Sequence, residues 1–146
     1  KEELAYAKKA GIELFTTQQI RKEGSERIAG RLKEKLMTYG NIYLSVDMDI
    51  LDPAYVPAVQ NPEADGLEMH TLLDILCGIC DRRIIGLDVV EVAPNYDQGV
   101  TAIQAAKVIF EMLSSLDTGC FHEAYTGKLS ASLHGSMHLY RMLLSL

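Results

Sequence analysis

From Ser25 onward apolar residues recur at Ile28, Leu32 and Leu36, four apart, which predicts a helix with one stripe turned to a sheet. Glu26 stands near its start and Lys33 and Lys35 near its end, the polarity that a helix dipole favours, and Gly40-Asn41 reads as the stop. Before it, LAYAKKA reads as a short helix closing at Gly11, and the apolar residues 12–15 as a strand. IYLSVDMD, residues 42–49, is β-branched or aromatic at positions of both parities before it turns acidic, as in a strand buried on both faces. ILDPAYVPAVQNPEADG then carries three of the four prolines with almost no periodicity and is expected to be an ordered surface loop near the strand end.

Helical spacing returns at Leu72, Leu73, Leu76, Ile79 and Cys80, followed by a second apolar strand, IIGLDVV, at 84–90. Residues 101–116 give the strongest helix, with Ala102, Ala105, Ala106, Ile109, Leu113 and Leu116 assigned to the packed stripe and Thr101 near its start. The predicted order is helix, strand, helix, strand, loop, helix, strand, helix: a parallel α/β domain with right-handed crossovers and no internal repeat. Residues 117–146 differ in composition, being richer in Ser, Gly, His and Met, and read as a tail that turns helical from about Ser130 to Leu144.

With 146 residues, 48% hydrophobic and 23% charged, the chain has length enough for a core and is neither disordered nor fibrous. The net charge of −6 disfavours nucleic acid as a partner and favours small molecules, cations or protein. No apolar run nears the roughly 18 residues of a membrane helix. Lys1, not Met, opens directly on ELAYAKKAG, which reads as lacking a cleavable signal and as a piece of something longer. Three widely placed cysteines argue against a disulfide scaffold and for a reducing compartment, the cytoplasm.

Asp47 and Asp49 stand two apart at the carboxyl end of the first internal strand, so a persisting strand would turn both carboxylates to one side. Ionised, such a pair repels unless a cation or hydrogen-bond donors neutralise it. A hard divalent ion fits, and ligands of open α/β sheets bind at the carboxyl ends of strands. The alternative is that these acids accept backbone N–H groups and cap the turn, the role assigned to Asp52 before Pro53. In GLDVVEVAP, Asp88 lies within an apolar run and needs a hydrogen bond or partner charge. Glu91 either faces a cationic substrate or pairs with a helix Lys or Arg. Cys77 and Cys80 read as packed thiols rather than zinc ligands, and His70 as a residue at a helix start. Cys120, His122, His134 and His138 could supply four zinc-type ligands only at loose spacing. Glycine-rich phosphate loops and nucleophile elbows are missing.

SVDMDILDPAYVP and GLDVVEVAP together resemble the ureohydrolase family, the arginases and agmatinases: the first matches S-x-D-x-D-x-x-D-P and the second G-[LF]-D-x-x-E-x-x-P. NPEADGLEMH resembles the substrate loop between them, and TAIQAAKVIFEML the final long helix. The resemblance implies that residues 1–116 are the C-terminal half of a ureohydrolase domain of three-layer α/β form, closest to microbial agmatinases. It further implies that Asp47 and Asp49 are ligands of a two-ion Mn²⁺ centre, Asp47 bridging, and that Glu91 holds a guanidinium through a charged, bidentate hydrogen-bond pair. The ions would activate hydroxide for attack on the guanidinium carbon, giving urea and an amine. The implied partners are a small cationic guanidino substrate, agmatine in putrescine biosynthesis, with arginine and related compounds as alternatives, and further copies in a homo-oligomer. Two departures stand out. Asp65 replaces the first glycine of the G-G pair in G-x-x-x-P-x-x-G-G-L, and the G-G-[DN]-H and D-A-H-x-D segments bearing the other ligands are missing from the chain. The 146 residues alone are therefore expected to be inactive and to bind manganese weakly. The rival expectation is a non-catalytic remnant or assembly module whose sheet edge pairs with another chain.

Overall fold

Two parallel strands, β1 (Ile42–Asp47) and β2 (Ile84–Val90), form the sheet of the computed structural model, which describes residues 2–118. Five helices accompany them among the described residues: α1 (Glu2–Lys9), α2 (Thr17–Glu23), α3 (Ser25–Leu36), α4 (Met69–Ile79) and α5 (Val100–Thr118). The fold is α/β with a small parallel sheet. The expected tail helix and the His and Cys positions from 120 onward lie outside the described residues.

The periodicity of α3 and α4 translates directly into packing. Ile28, Leu32 and Leu36 of α3 and Leu72, Ile75, Leu76 and Ile79 of α4 are buried in one cluster with Leu44 and Val46 of β1. Helix α3 stops four residues before Gly40, because Met37 N–H closes its last turn on Lys33 O at 3.0 Å. Arg83, at the entrance to β2, donates to the carbonyls of Leu36 and Tyr39, at and just past the end of the helix. The end of α3 is thereby tied to the strand that carries half of the site.

Residues 12–15 are not a strand. Ile12 N–H closes α1 on Ala7 O at 2.9 Å, and the segment then packs on α3 through its side chains. Glu13 pairs with Arg31 and Lys35, while the Arg31 guanidinium sits 4.6 Å from the centre of the buried Phe15 ring. The sequence reading also missed α2, whose signals are a Thr16 side chain accepting from Gln19 N–H at 3.2 Å and the single buried residue Ile20.

The packed face of α5 is another correction. Thr101, Ala105, Val108, Met112 and Ser115 are buried, whereas Ile109 and Leu113 of the expected stripe are 40% and 58% exposed. Its rotation is set at the N-terminus. Asp97 accepts from Thr101 N–H at 2.9 Å and from Thr101 Oγ1 at 2.7 Å, and Thr101 Oγ1 accepts from Ala58 N–H at 2.9 Å. Cys77 and Cys80 sit between α4 and α5 as packed thiols, Cys77 against Ser115 and Cys80 against Met112.

The loop between β1 and α4 is ordered but only partly on the surface. Leu51, Val56, Ala58 and Val59 are buried, Leu51 bridges to Leu67, and Val59 bridges to Val92 beyond β2.

Candidate metal and guanidinium site

Parallel pairing brings the two acidic strand ends to the same edge. After a register shift between Ile42 and Tyr43, Ser45 faces Asp88 and Asp47 faces Val90, so Glu91 follows directly beside the end of β1. That register is tied across the sheet: Tyr43 and Ser45 donate to the Asp88 carboxylate at 2.9 and 2.6 Å. Gly86 makes the tie sterically feasible, because a Cβ there would lie 2.7 Å from the Tyr43 ring. The neighbouring strand β1 thus supplies the donors that the Asp88 carboxylate requires within its apolar run.

Asp47 and Asp49 do not continue the strand together. β1 ends at Asp47, and Met48–Ile50 form a single 3-10 turn in which Asp47 Oδ1 accepts from Asp49 N–H at 3.0 Å. An aspartate accepting from the N–H two residues on is a turn device, so the D-x-D spacing encodes a turn and a pair of neighbouring acids at once. Of the two readings of the pair, the capped turn is the one seen here. Burial pushes the Asp47 carboxyl above the usual carboxylate range; the Asp49 N–H draws it partly back and the Asp49 charge adds to the rise.

Asp49 is only 8% exposed. Its Oδ2 accepts from the Asn61 side-chain amide at 3.0 Å, while the buried Oδ1 has no hydrogen-bond partner among the described residues. An ionised oxygen left in that condition is costly unless a cation or another donor meets it.

Glu91 is half-buried and holds φ at +64°, in the left-handed region that few non-glycine residues adopt. Such local strain is concentrated at functional positions. The alternative role, a salt bridge to a helix Lys or Arg, is not seen among the described residues.

Asp52 performs the structural role assigned to it. Its Oδ1 accepts from Ala54 N–H at 2.8 Å and its Oδ2 from Asp65 N–H at 2.9 Å, joining the two ends of the loop. Asp65 has φ +70°, which explains why a glycine suits that position. Arg21 of α2 steadies it, pairing with its carboxylate and donating to Asp65 O at 3.0 Å and Gly66 O at 2.7 Å. His70 lies in the first turn of α4, exposed and against Glu68.

A family model for the arginases matches residues 1–114. The chain belongs to the arginase family. Among curated relatives, the agmatinase of Neisseria meningitidis serogroup C (strain 053442) is 40% identical over 111 residues, covering 74% of this chain and 35% of that protein. A putative agmatinase 1 of Schizosaccharomyces pombe is 40% identical over 105 residues, covering 71% of this chain and 26% of that one. Among solved structures, formimidoylglutamase from Bacillus subtilis has a TM-score of 0.74 at 30% identity, over 79% of this chain and 37% of the other. Proclavaminate amidino hydrolase from Streptomyces clavuligerus has a TM-score of 0.72 at 34% identity, over 77% and 37%. The matched part of this arginase-family chain thus spans about a third of the length of relatives such as the Neisseria protein.

The donor chemistry fits a hard divalent cation. Asp47 and Asp49 offer carboxylate oxygens, and the unpartnered, buried Asp49 Oδ1 is the kind of atom such an ion would satisfy. No group of three or more His, Cys, Asp or Glu residues is arranged to hold a metal among the described residues.

Proposed function

We propose that the protein to which this arginase-family chain belongs is a manganese-dependent hydrolase of guanidino C–N bonds, with agmatine as substrate and urea and putrescine as products. One observation carries the reading: parallel register puts the Asp47–Asp49 turn and the strained Glu91 at the same sheet edge. Asp47 and Asp49 would hold manganese, which when bound supplies the Lewis-acid activation of water that attack on a guanidinium carbon needs.

The chain's own residues do the rest. Glu91, free of competing ion pairs among the described residues, holds the guanidinium by charge and paired hydrogen bonds and orients its carbon toward the carboxylate pair. The loop from Asp52 to Gly66 is fixed at both ends by Asp52 and carries Asn61, which donates to Asp49. Agmatine is preferred over arginine because the loop residues NPEAD present acids and no cation to receive an α-carboxylate. The agmatinase names of the Neisseria and fission-yeast relatives support the same choice.

The purified 146-residue chain, supplied with Mn²⁺ and agmatine, is expected to release no urea, because two carboxylates cannot complete a catalytic manganese shell. Robust urea release from that chain would overturn this account of the site. In the longer protein, upstream D-A-H-x-D and G-G-[DN]-H segments are expected, and Glu91→Gln should abolish agmatine turnover.

A second reading has its own observation. Ile85 of β2 and Ile103, Phe110 and Leu113 of α5 are exposed apolar residues, as an assembly module would display. Size measurement of the purified chain distinguishes it: a stable monomer argues against assembly through these faces.

A further inference from the structure

We propose that Asn61 is a positioning residue for Asp49, taking one carboxylate oxygen with its side-chain amide and so presenting the other, buried one to a divalent cation. The proposal rests on the reading of Asp47 and Asp49 as cation ligands.

Three features support it. First, the division of labour within one carboxylate is explicit: Asn61 Nδ2 donates to Oδ2 at 3.0 Å, and Oδ1 is left buried without a donor among the described residues. Second, the donor is neutral. An Arg or Lys in its place would cancel the charge of Asp49 and repel a cation, whereas an amide fixes the carboxylate plane and leaves its charge available. Third, Asn61 is an exposed residue on a backbone that is held from both sides. Ala58 N–H donates to Thr101 Oγ1 at 2.9 Å, Ala58 O accepts from Ala93 N–H at 2.8 Å, and Val59 bridges to Val92. Pro62 follows and restricts Asn61 to extended backbone. The same short strap therefore touches Asp49 through Asn61 and the residue after Glu91 through Val59, linking the two halves of the site. The hydrogen-bond partners of metal-binding carboxylates commonly govern affinity in this way.

The test is a titration of the ¹⁵N-labelled 146-residue chain with MnCl₂, read as paramagnetic broadening of backbone amides, which registers weak binding and needs no catalysis. Broadening centred on residues 47–49 is expected for the unaltered chain. Asn61→Ala should weaken it, raising the apparent Kd by about 10-fold or more, while Asn61→Gln, which keeps the amide donor, should stay within about threefold. Because Asn61 is exposed, both variants should retain the amide spectrum of the rest of the fold. Broadening in Asn61→Ala at unchanged Mn²⁺ concentrations, with or without a loss of stability, overturns the positioning role alone. Lack of broadening at residues 47–49 in the unaltered chain overturns that role together with the cation reading beneath it.

Discussion

Gly66 closes the loop that begins at the carboxylate turn, and replacing it by alanine should be among the most damaging single-methyl additions in this chain. A Cβ there would lie 2.5 Å from Asp52 N, 2.6 Å from Leu51 C and 2.9 Å from Ile50 O. All three are backbone atoms, so no side-chain end can swing away. Relieving the contact means parting the two backbones by about 1 Å, which takes their hydrogen bonds beyond useful length. Two bonds join them there, Asp52 N–H to Leu67 O at 3.0 Å and Leu67 N–H to Ile50 O at 2.9 Å. Losing them costs about 1 kcal/mol each, and overpacking adds about 1–3 kcal/mol, for a destabilisation of about 3–5 kcal/mol. Gly30 is the control, since it is exposed in the middle of α3 with nothing within 4 Å of its notional Cβ. There the same methyl should stabilise by about 0.5–1 kcal/mol through helix propensity. Urea denaturation followed by far-ultraviolet circular dichroism reads both. A cost below about 1 kcal/mol for Gly66→Ala, or equal signs for the two variants, would refute the close-approach account.

Thr101→Val keeps the shape of a fully buried side chain but strands Ala58 N–H, so a loss of about 2 kcal/mol is expected in the same denaturation assay. Asp97 is held below the usual carboxylate range by the Thr101 backbone N–H and then by its hydroxyl, with Gly99 N–H adding to the effect. A depressed folded-state pKa gives stability that is present above the unfolded value and lost as pH falls through the folded one. The advantage of the unaltered chain over Asp97→Asn should therefore be level above about pH 5 and shrink at lower pH, and a pH-independent difference would contradict it.

The elements that were legible from sequence are those in which one signal determines one outcome. In α3, apolar residues at helical spacing left only one face that could be buried, and that face is the buried one; in α4 the expected Leu72, Leu76 and Ile79 are buried, but Ile75 is fully buried and Leu73 only partly so. β1 and β2 announced themselves by β-branched runs ending in acids, and pairing put those acids together. In α5 the signal was degenerate. Apolar residues surround the whole helix, so counting alanines chose a stripe, while the observed rotation is decided by the distant Asp97–Thr101–Ala58 tie. Residues 12–15 failed similarly: an apolar run does not specify a strand when its backbone closes one helix and its side chains pack on another.

The carboxylate site shows the same limit at atomic scale. Spacing alone supported either a cation pair on a continuing strand or an acid-capped turn. In the structure the turn is formed by Asp47, and forming it swings Asp49 into a buried position where Asn61 satisfies one oxygen only. The capping bond from Asp49 N–H therefore accompanies the burial of the second acid. Asn61 was invisible to motif reading because its role depends on a loop fold, in which Ala58 and Val59 are pinned to residues after β2. The strain at Glu91 was equally invisible, since no periodicity marks a positive φ. A strand that simply ended at Val90 would have no need of it. A left-handed residue at that point turns the chain off the sheet edge at once, which places the Val92 bridge next to Glu91 and lets a single loop brace both acidic strand ends.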